Sequence, residues 1–310
     1  MYNEVMQDKM NMMRRILRAV KRAIRVRPDQ LIMRAWPVWF FVSNRHARRL
    51  HRRHRPELSG VQRRIVGELA AKGISIVHMD ELFIGEQRFP PLEEHTKDLM
   101  GSAAVKTKKK FLQYLLDATP TLDLANPFIQ VMLERQVLDT VNAYMQMCSK
   151  FHSFTLNVTM PVGEGTTRVQ SQRWHRDPDD KKMCKVFLYL TDVDESAGPF
   201  TYVVGSQYGG KWRKIFPQLP PLETYPPDGG VEKRVPAADM LVATGKAGTM
   251  IFCDTSGLHR GGYATQKNRV MFTAVYVSPA RISSITYRYP DHFRLSDHPL
   301  NAVGRYALEN

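Results

Sequence analysis

Short apolar strands separated by turns, gathered behind a helical first half, predict an α+β chain that is mainly β. Its core would be a double-stranded β-helix (jelly-roll, cupin-like), flanked by helices and preceded by a basic helical N-terminal arm. Three observations carry this. Residues 154–160 (FTLNVTM), 185–190 (KVFLYL), 250–252 and 269–277 have strand length and apolar or β-branched character. Residues 61–71 (VQRRIVGELAA) and 128–147 have helical periodicity, the first stopped by Gly73 and the second entered through Asn126-Pro127. The start of the chain differs in composition from all that follows.

That difference is one of charge. Of 45 Lys and Arg and 30 Asp and Glu, residues 1–55 hold fifteen basic and three acidic side chains, so most of the net +15 belongs to this arm. Met13, Ile16, Leu17, Val20 and Ile24 recur at three- and four-residue spacing among arginines and lysines, a basic amphipathic helix. It fits either an anionic membrane surface, with Trp36–Phe41 (WPVWFF) as an interfacial anchor, or a helix packed on the main domain. The hexapeptide is too short to span a bilayer, and no cleavable signal is evident. Residues 45–55 (RHARRLHRRHR) read as a solvated linker or an arm contacting anionic lipid or nucleic acid.

The expected domains are therefore 1–56, the arm, and 57–310, the main domain, which is long enough to bury a substantial core. Hydrophobic residues at 43% and aromatics at 10% exclude a disordered chain. Cys148, Cys184 and Cys253 are few and widely spaced, so they imply no disulfide framework and favour a reducing, cytoplasmic setting, membrane-peripheral if the arm binds lipid. Residues 74–77 form a short strand, 92–116 a mixed helical and loop segment, and 106–110 (KTKKK) a solvated face. Residues 211–239, rich in Pro and Gly, read as an insertion that shapes access to a site.

The chemistry concentrates at Trp174-His175-Arg176-Asp177-Pro178, a distant Leu258-His259-Arg260-Gly261-Gly262, and Arg269. If 173–177 is extended, His175 and Asp177 share a face and reach one small cation. With His259 they make a 2-His-1-carboxylate triad, the geometry of non-haem Fe(II) sites, which leaves coordination positions open. Arg269 opens a buried strand, where a guanidinium needs an anionic partner; a ligand carboxylate held bidentately would serve.

Residues 174–208 and 248–280 resemble the phytanoyl-CoA dioxygenase family of Fe(II)- and 2-oxoglutarate-dependent oxygenases, a likeness extending over roughly residues 60–285. The resemblance implies that His175, Asp177 and His259 bind iron and that Arg269 takes the far carboxylate of 2-oxoglutarate. It also implies that Asn157 and Met160 contact the co-substrate. Gln207 stands where the family has His, Val204 where it has Pro, and Thr249 where Gly-Asp is common; none touches the triad. The implied reaction decarboxylates 2-oxoglutarate to succinate and CO2, uses O2, and hydroxylates a small-molecule or lipid-like acyl substrate. A carboxylate at 177 argues against halogenation, since related halogenases carry Ala or Gly there. Two alternatives stand beside it. A nucleic-acid-directed oxygenase would suit the charge, but that group places a second arginine where Val275 stands, and the charge is segregated in the arm. A non-catalytic jelly-roll binding module would not need the triad and Arg269 together.

Overall fold

In the computed structural model, residues 34–101, 106–109, 111–163, 165–220 and 224–309 are described; the amphipathic pattern at 13–24 lies outside them. In order, the elements are α1 (Arg45–Arg53), α2 (Gly60–Lys72), β1 (Ile74–His78), α3 (Met79–Leu82), α4 (Phe89–Gly101), β2 (Lys106–Lys109), β3 (Leu112–Tyr114), α5 (Pro127–Leu133) and α6 (Arg135–Met145). Then follow β4 (Lys150–Thr159), β5 (Cys184–Tyr189), β6 (Phe200–Val203), β7 (Met240–Ala243), β8 (Thr249–Cys253), β9 (His259–Arg260), β10 (Arg269–Val277) and α7 (Ala302–Leu308).

The strands make two antiparallel sheets, one in the order β1-β8-β5-β10-β4-β3-β2 and one in the order β7-β6-β9. Alternation divides the large sheet between two cores. Val186 and Leu188 of β5, with Leu156, Val158, Phe252 and Phe272, face the helices Leu69, Phe128, Leu138 and Val141 come from. Phe187 and Tyr189, with Ile74 and Ile251, face Phe200, Tyr202 and Ala243 of the small sheet. Two sheets closing over a shared interior are the jelly-roll that the sequence predicts.

The helices carry their own reasons. Ser59 and Gln62 form a reciprocal capping box that starts α2, and Gly73 ends it at φ +81°. A Cβ at Gly73 would lie 2.4 Å from the Tyr202 hydroxyl, so α2 approaches the small sheet only through glycine. Gln207 Nε2 donates to Ala70 O (3.3 Å) and Gly205 N to Lys72 O (2.8 Å), which gives the last carbonyls of α2 their partners. Asn126 Oδ1 caps α5, with Pro127 in its first turn, as the sequence indicates. The single helix expected over 128–147 is instead two, broken at Glu134, whose backbone is extended (ψ 154°). The segment 106–110, expected to be a solvated face, contributes the edge strand β2, in keeping with lysine-rich edges.

The division at residue 56 does not describe residues 34–53, which pack on the body. Trp39 is fully buried, and its Nε1 donates to Asp180 Oδ1 at 2.8 Å. Asn44 Oδ1 accepts from Ala280 N, and Ala47 O from Cys148 N. Arg34 donates to Pro178 O and Gln218 Oε1. Of the four aromatic rings of the hexapeptide, Phe41 alone is exposed, at 57%, with Val42 next to it at 60%. Residues 45–53, expected as a linker or arm, are the helix α1. The insertion at 211–239 packs on the body too, through Trp212, Ile215, Phe216, Val231 and Val235 against Trp174, Val203 and Leu258.

Asp180 is buried under this clip and accepts from Trp39 Nε1, Lys181 N and Ser278 N. Burial outweighs these donors and pushes its carboxyl up to about 6. A raised folded-state value means this group's contribution to stability is full below the ordinary carboxylate range and is lost as pH rises through about 6. Urea titrations from about pH 4 to about pH 7 should show the stability of the wild type falling relative to Asp180→Asn. Trp39→Ala should cost about 3–5 kcal/mol in the same measurement; a loss under about 1 kcal/mol would make the segment a dispensable appendage.

Candidate metal centre

Residues 173–177 run extended beside β9. His175 N donates to His259 O (2.9 Å), His259 N donates to His175 O (3.0 Å), and Asp177 N donates to Thr255 O (3.0 Å). This bridge sets two distant imidazoles side by side, ring centroids 4.1 Å apart. His175 Nδ1 lies 2.9 Å from Arg173 O and His259 Nδ1 3.0 Å from Gly257 O. A carbonyl partner places the proton on Nδ1 of each ring and leaves the Nε2 lone pair free. Both Nε2 atoms face Asp177, at 3.9 Å from Oδ1 for His175 and 3.6 Å from Oδ2 for His259. The three donor atoms lie within 4.8 Å of one another and all three residues are buried. Cis ligands about 2.1 Å from a common ion sit roughly 3 Å apart, so a small inward movement would bring the three donors to that spacing.

The electrostatics suit a cation. Burial first, then the neighbouring His175, brings His259 down to about 3, so its imidazole is neutral near pH 7. Burial works against ionised Asp177, but Lys185, His259 and His175 outweigh it and hold the carboxyl far below its ordinary range. Lys185 Nζ lies 2.7 Å from Asp177 Oδ2, a contact of charge without hydrogen-bond geometry, for Oδ2 is buried and has no directed donor. Asp177 and Asp179 keep that ammonium charged against the cost of burial. Two imidazole nitrogens and a carboxylate oxygen with spare lone pairs fit a divalent ion with open positions.

Arg269 is 4% exposed and has no carboxylate partner among the described residues. Its Nη1 donates to Gly198 O and Nη2 to Thr159 Oγ1 (3.1 Å), while Nε is buried without an acceptor. Glycines leave its flank bare: an added Cβ at Gly261 would lie 3.7 Å from Nη1, and one at Gly262 3.8 Å from Nη2. A buried guanidinium with no carboxylate partner and glycines at its flank suits an anion that the described residues do not supply. Asn157 lies across from Met271 in β10; its Nδ2 donates to Thr155 Oγ1 and its buried Oδ1 has no partner. Met160 packs against the helix-side core instead, so the residue of this strand that meets Arg269 is Thr159.

Five contributors were invisible in sequence. Lys185 hides in an apolar strand, where a lone charge was the available signal. Thr159 stood one position from the residue singled out. Tyr225, from the insertion, stacks on His175 at 5.7 Å and 21°, while Phe200 flanks His259 at 5.6 Å. Arg176, projecting opposite to His175 and Asp177, is 3% exposed and donates to five carbonyls: Phe216 from Nε, Ser206 and Ser256 from Nη1, Trp212 and Ile215 from Nη2. All five guanidinium donors are thus used, and the insertion is tied to the ligand strand.

Residues 90–271 match the family model for phytanoyl-CoA dioxygenase (PhyH), more than half the chain. No curated protein matches. Among solved structures, the chain is similar to the non-haem α-ketoglutarate-dependent epimerase SnoN from nogalamycin biosynthesis in complex with Fe3+, α-ketoglutarate and nogalamycin RO. The TM-score is 0.51 at 15% identity, over 70% of this chain and 84% of that one. EctD from S. alaskensis with bound Fe gives a TM-score of 0.49 at 13% identity, over 74% and 80%. At such identities the likeness to SnoN concerns the fold.

Arg176→Met should strand five carbonyls, lower stability by about 3 kcal/mol or more, and speed proteolytic cleavage within 212–216. Arg176→Lys, with three donors, should recover part of the loss; wild-type stability and cleavage in Arg176→Met would refute the tie.

Proposed function

The chain belongs to the phytanoyl-CoA dioxygenase family of Fe(II)- and 2-oxoglutarate-dependent oxygenases, and from that premise we propose that it hydroxylates a small-molecule or lipid-like acyl substrate. The observation that carries this reading is the convergence of His175, Asp177 and His259 beside an unpaired, buried Arg269. The cofactor is Fe(II), with 2-oxoglutarate as co-substrate and O2 as oxidant. When bound, they supply oxidising power from the decarboxylation of 2-oxoglutarate to succinate and CO2.

In this reading the protein's own groups hold and position. His175 and His259 offer Nε2 lone pairs that the Nδ1 contacts have already aimed, which spares reorganisation on binding. Asp177 supplies the charge, steadied by Lys185 at Oδ2. Arg269 takes the far carboxylate of 2-oxoglutarate through donors now lent to Gly198 O and Thr159 Oγ1. Asn157 remains a proposed co-substrate contact through its unpartnered Oδ1. Tyr225 and Phe200 cover the two imidazoles and keep water from them. The carboxylate at 177 favours hydroxylation over halogenation, while SnoN, an epimerase, shows that the fold also serves an outcome without oxygen insertion.

The proposed setting is cytoplasmic and membrane-peripheral. Exposed Phe41 and Val42 precede α1, whose Arg45, Arg49, Arg52 and Arg53 are exposed; together with residues 10–33 they suit an anionic bilayer. Among the described residues no helix is long and apolar enough to cross a membrane.

Anaerobic Fe(II) titration should show binding by the wild type and none by His175→Ala or His259→Ala. Arg269→Gln should keep Fe(II) affinity and raise the KM for 2-oxoglutarate about tenfold to a hundredfold. Succinate release should accompany a product that carries one atom from labelled O2; a product without the label would overturn hydroxylation and leave the oxygenase class standing.

A further inference from the structure

Behind the ligand strand, on the face opposite the imidazoles, lies a cavity of about 320 Å3 whose lining, among the described residues, includes Arg176, Lys181, Tyr208, Arg213, Lys214 and Gln218 and no carboxylate. Four cations converge there. Arg176 forms the floor, its donors spent on carbonyls and its charge opposed by no ion pair. Lys181, Arg213 and Lys214 form no ion pair with a described residue either. Asp180, next to Lys181, is occupied by Trp39 Nε1 and the amides of Lys181 and Ser278.

The arrangement is built rather than incidental. The carbonyls of Trp212, Ile215 and Phe216 all turn inward to Arg176, and Phe216 adopts φ +44°, a conformation rare for a bulky residue. Bending the chain this way leaves Arg213 and Lys214 exposed at the mouth. On the other wall Tyr208 stacks on Trp36 at 4.5 Å, and Lys181 Nζ sits 4.7 Å from the Tyr208 ring centroid, which fixes the ammonium against the cavity. Gathering like charges in a concavity raises the energy of the empty pocket and its affinity for an anion together.

We propose that this cavity binds a phosphate group, carried by a soluble phosphomonoester or by a lipid headgroup. A dianion answers the ammoniums of Lys181 and Lys214 and the guanidinium of Arg213 better than a carboxylate does, and tetrahedral oxygens accept from several walls at once. The site is separate from that of 2-oxoglutarate, because Arg176 projects away from the face of His175 and Asp177.

Calorimetric titration of the full chain with inorganic phosphate, without iron or 2-oxoglutarate, tests this apart from any oxygenase activity. Co-sedimentation with phosphatidylcholine vesicles, with and without phosphatidic acid, tests the lipid source. The paired variant Arg213→Ala/Lys214→Ala removes two exposed side chains and should leave the fold intact by circular dichroism. The expected result is binding that weakens about tenfold or more in the paired variant. Sensitivity to the variant with inorganic phosphate assigns a soluble ligand; sensitivity confined to phosphatidic acid vesicles assigns a lipid. Binding of both probes unchanged by the variant, which would trace to the basic arm or Arg269, or no binding of either, overturns the proposal.

Discussion

Two backbone hydrogen bonds, exchanged between His175 and His259, hold the centre together. They join segments distant in the chain, and the side chains follow from them. Once the pair is in register, alternation puts Asp177 on the same face and Arg176 on the other. The ring contacts of Nδ1 to Arg173 O and Gly257 O are local, each spanning two residues, so they form as soon as the backbone is extended. Ligand geometry here is a property of strand pairing, which is stiffer than any loop.

Around that pairing, three guanidinium or ammonium groups are buried or nearly so, and each meets the cost of burial differently. Arg176 is surrounded by carbonyl dipoles. Lys185 is matched to a carboxylate, which in turn is kept ionised. Arg269 is left partly unsatisfied, with Nε lacking an acceptor and glycines at its side. The contrast separates their roles: full satisfaction belongs to architecture, matched charge to tuning, and incomplete satisfaction to ligand capture. None of these three charges belongs to the N-terminal arm, so the charge of the whole chain is a poor guide to the charge at the centre.

Sequence reading reached the parts of the molecule governed by short-range rules. The run from Arg269 to Val277 is one strand from end to end, and Gly73 and Asn126-Pro127 bound helices as their conformational preferences require. The triad was readable because its spacing encodes a face of a strand. What escaped depends on partners far along the chain. Trp36–Phe41 has the same composition whether it enters lipid or plugs a core; the carboxylate of Asp180, waiting for the Trp39 indole, decides. No glycine or proline announces the break at Glu134, and lysines concealed β2. Met160 and Thr159 differ by one position, and one position in a strand exchanges the two faces.

Arg176 has one more consequence. A guanidinium that spends three of its five donors on the carbonyls of Trp212, Ile215 and Phe216 makes that part of the insertion a fixed wall. To swing it as a lid, every catalytic cycle would have to break those bonds in a dry interior and remake them. In the proposed reading a ligand would therefore approach the triad past side chains such as Tyr225, which stacks on His175, rather than through a hinge at residues 212–216.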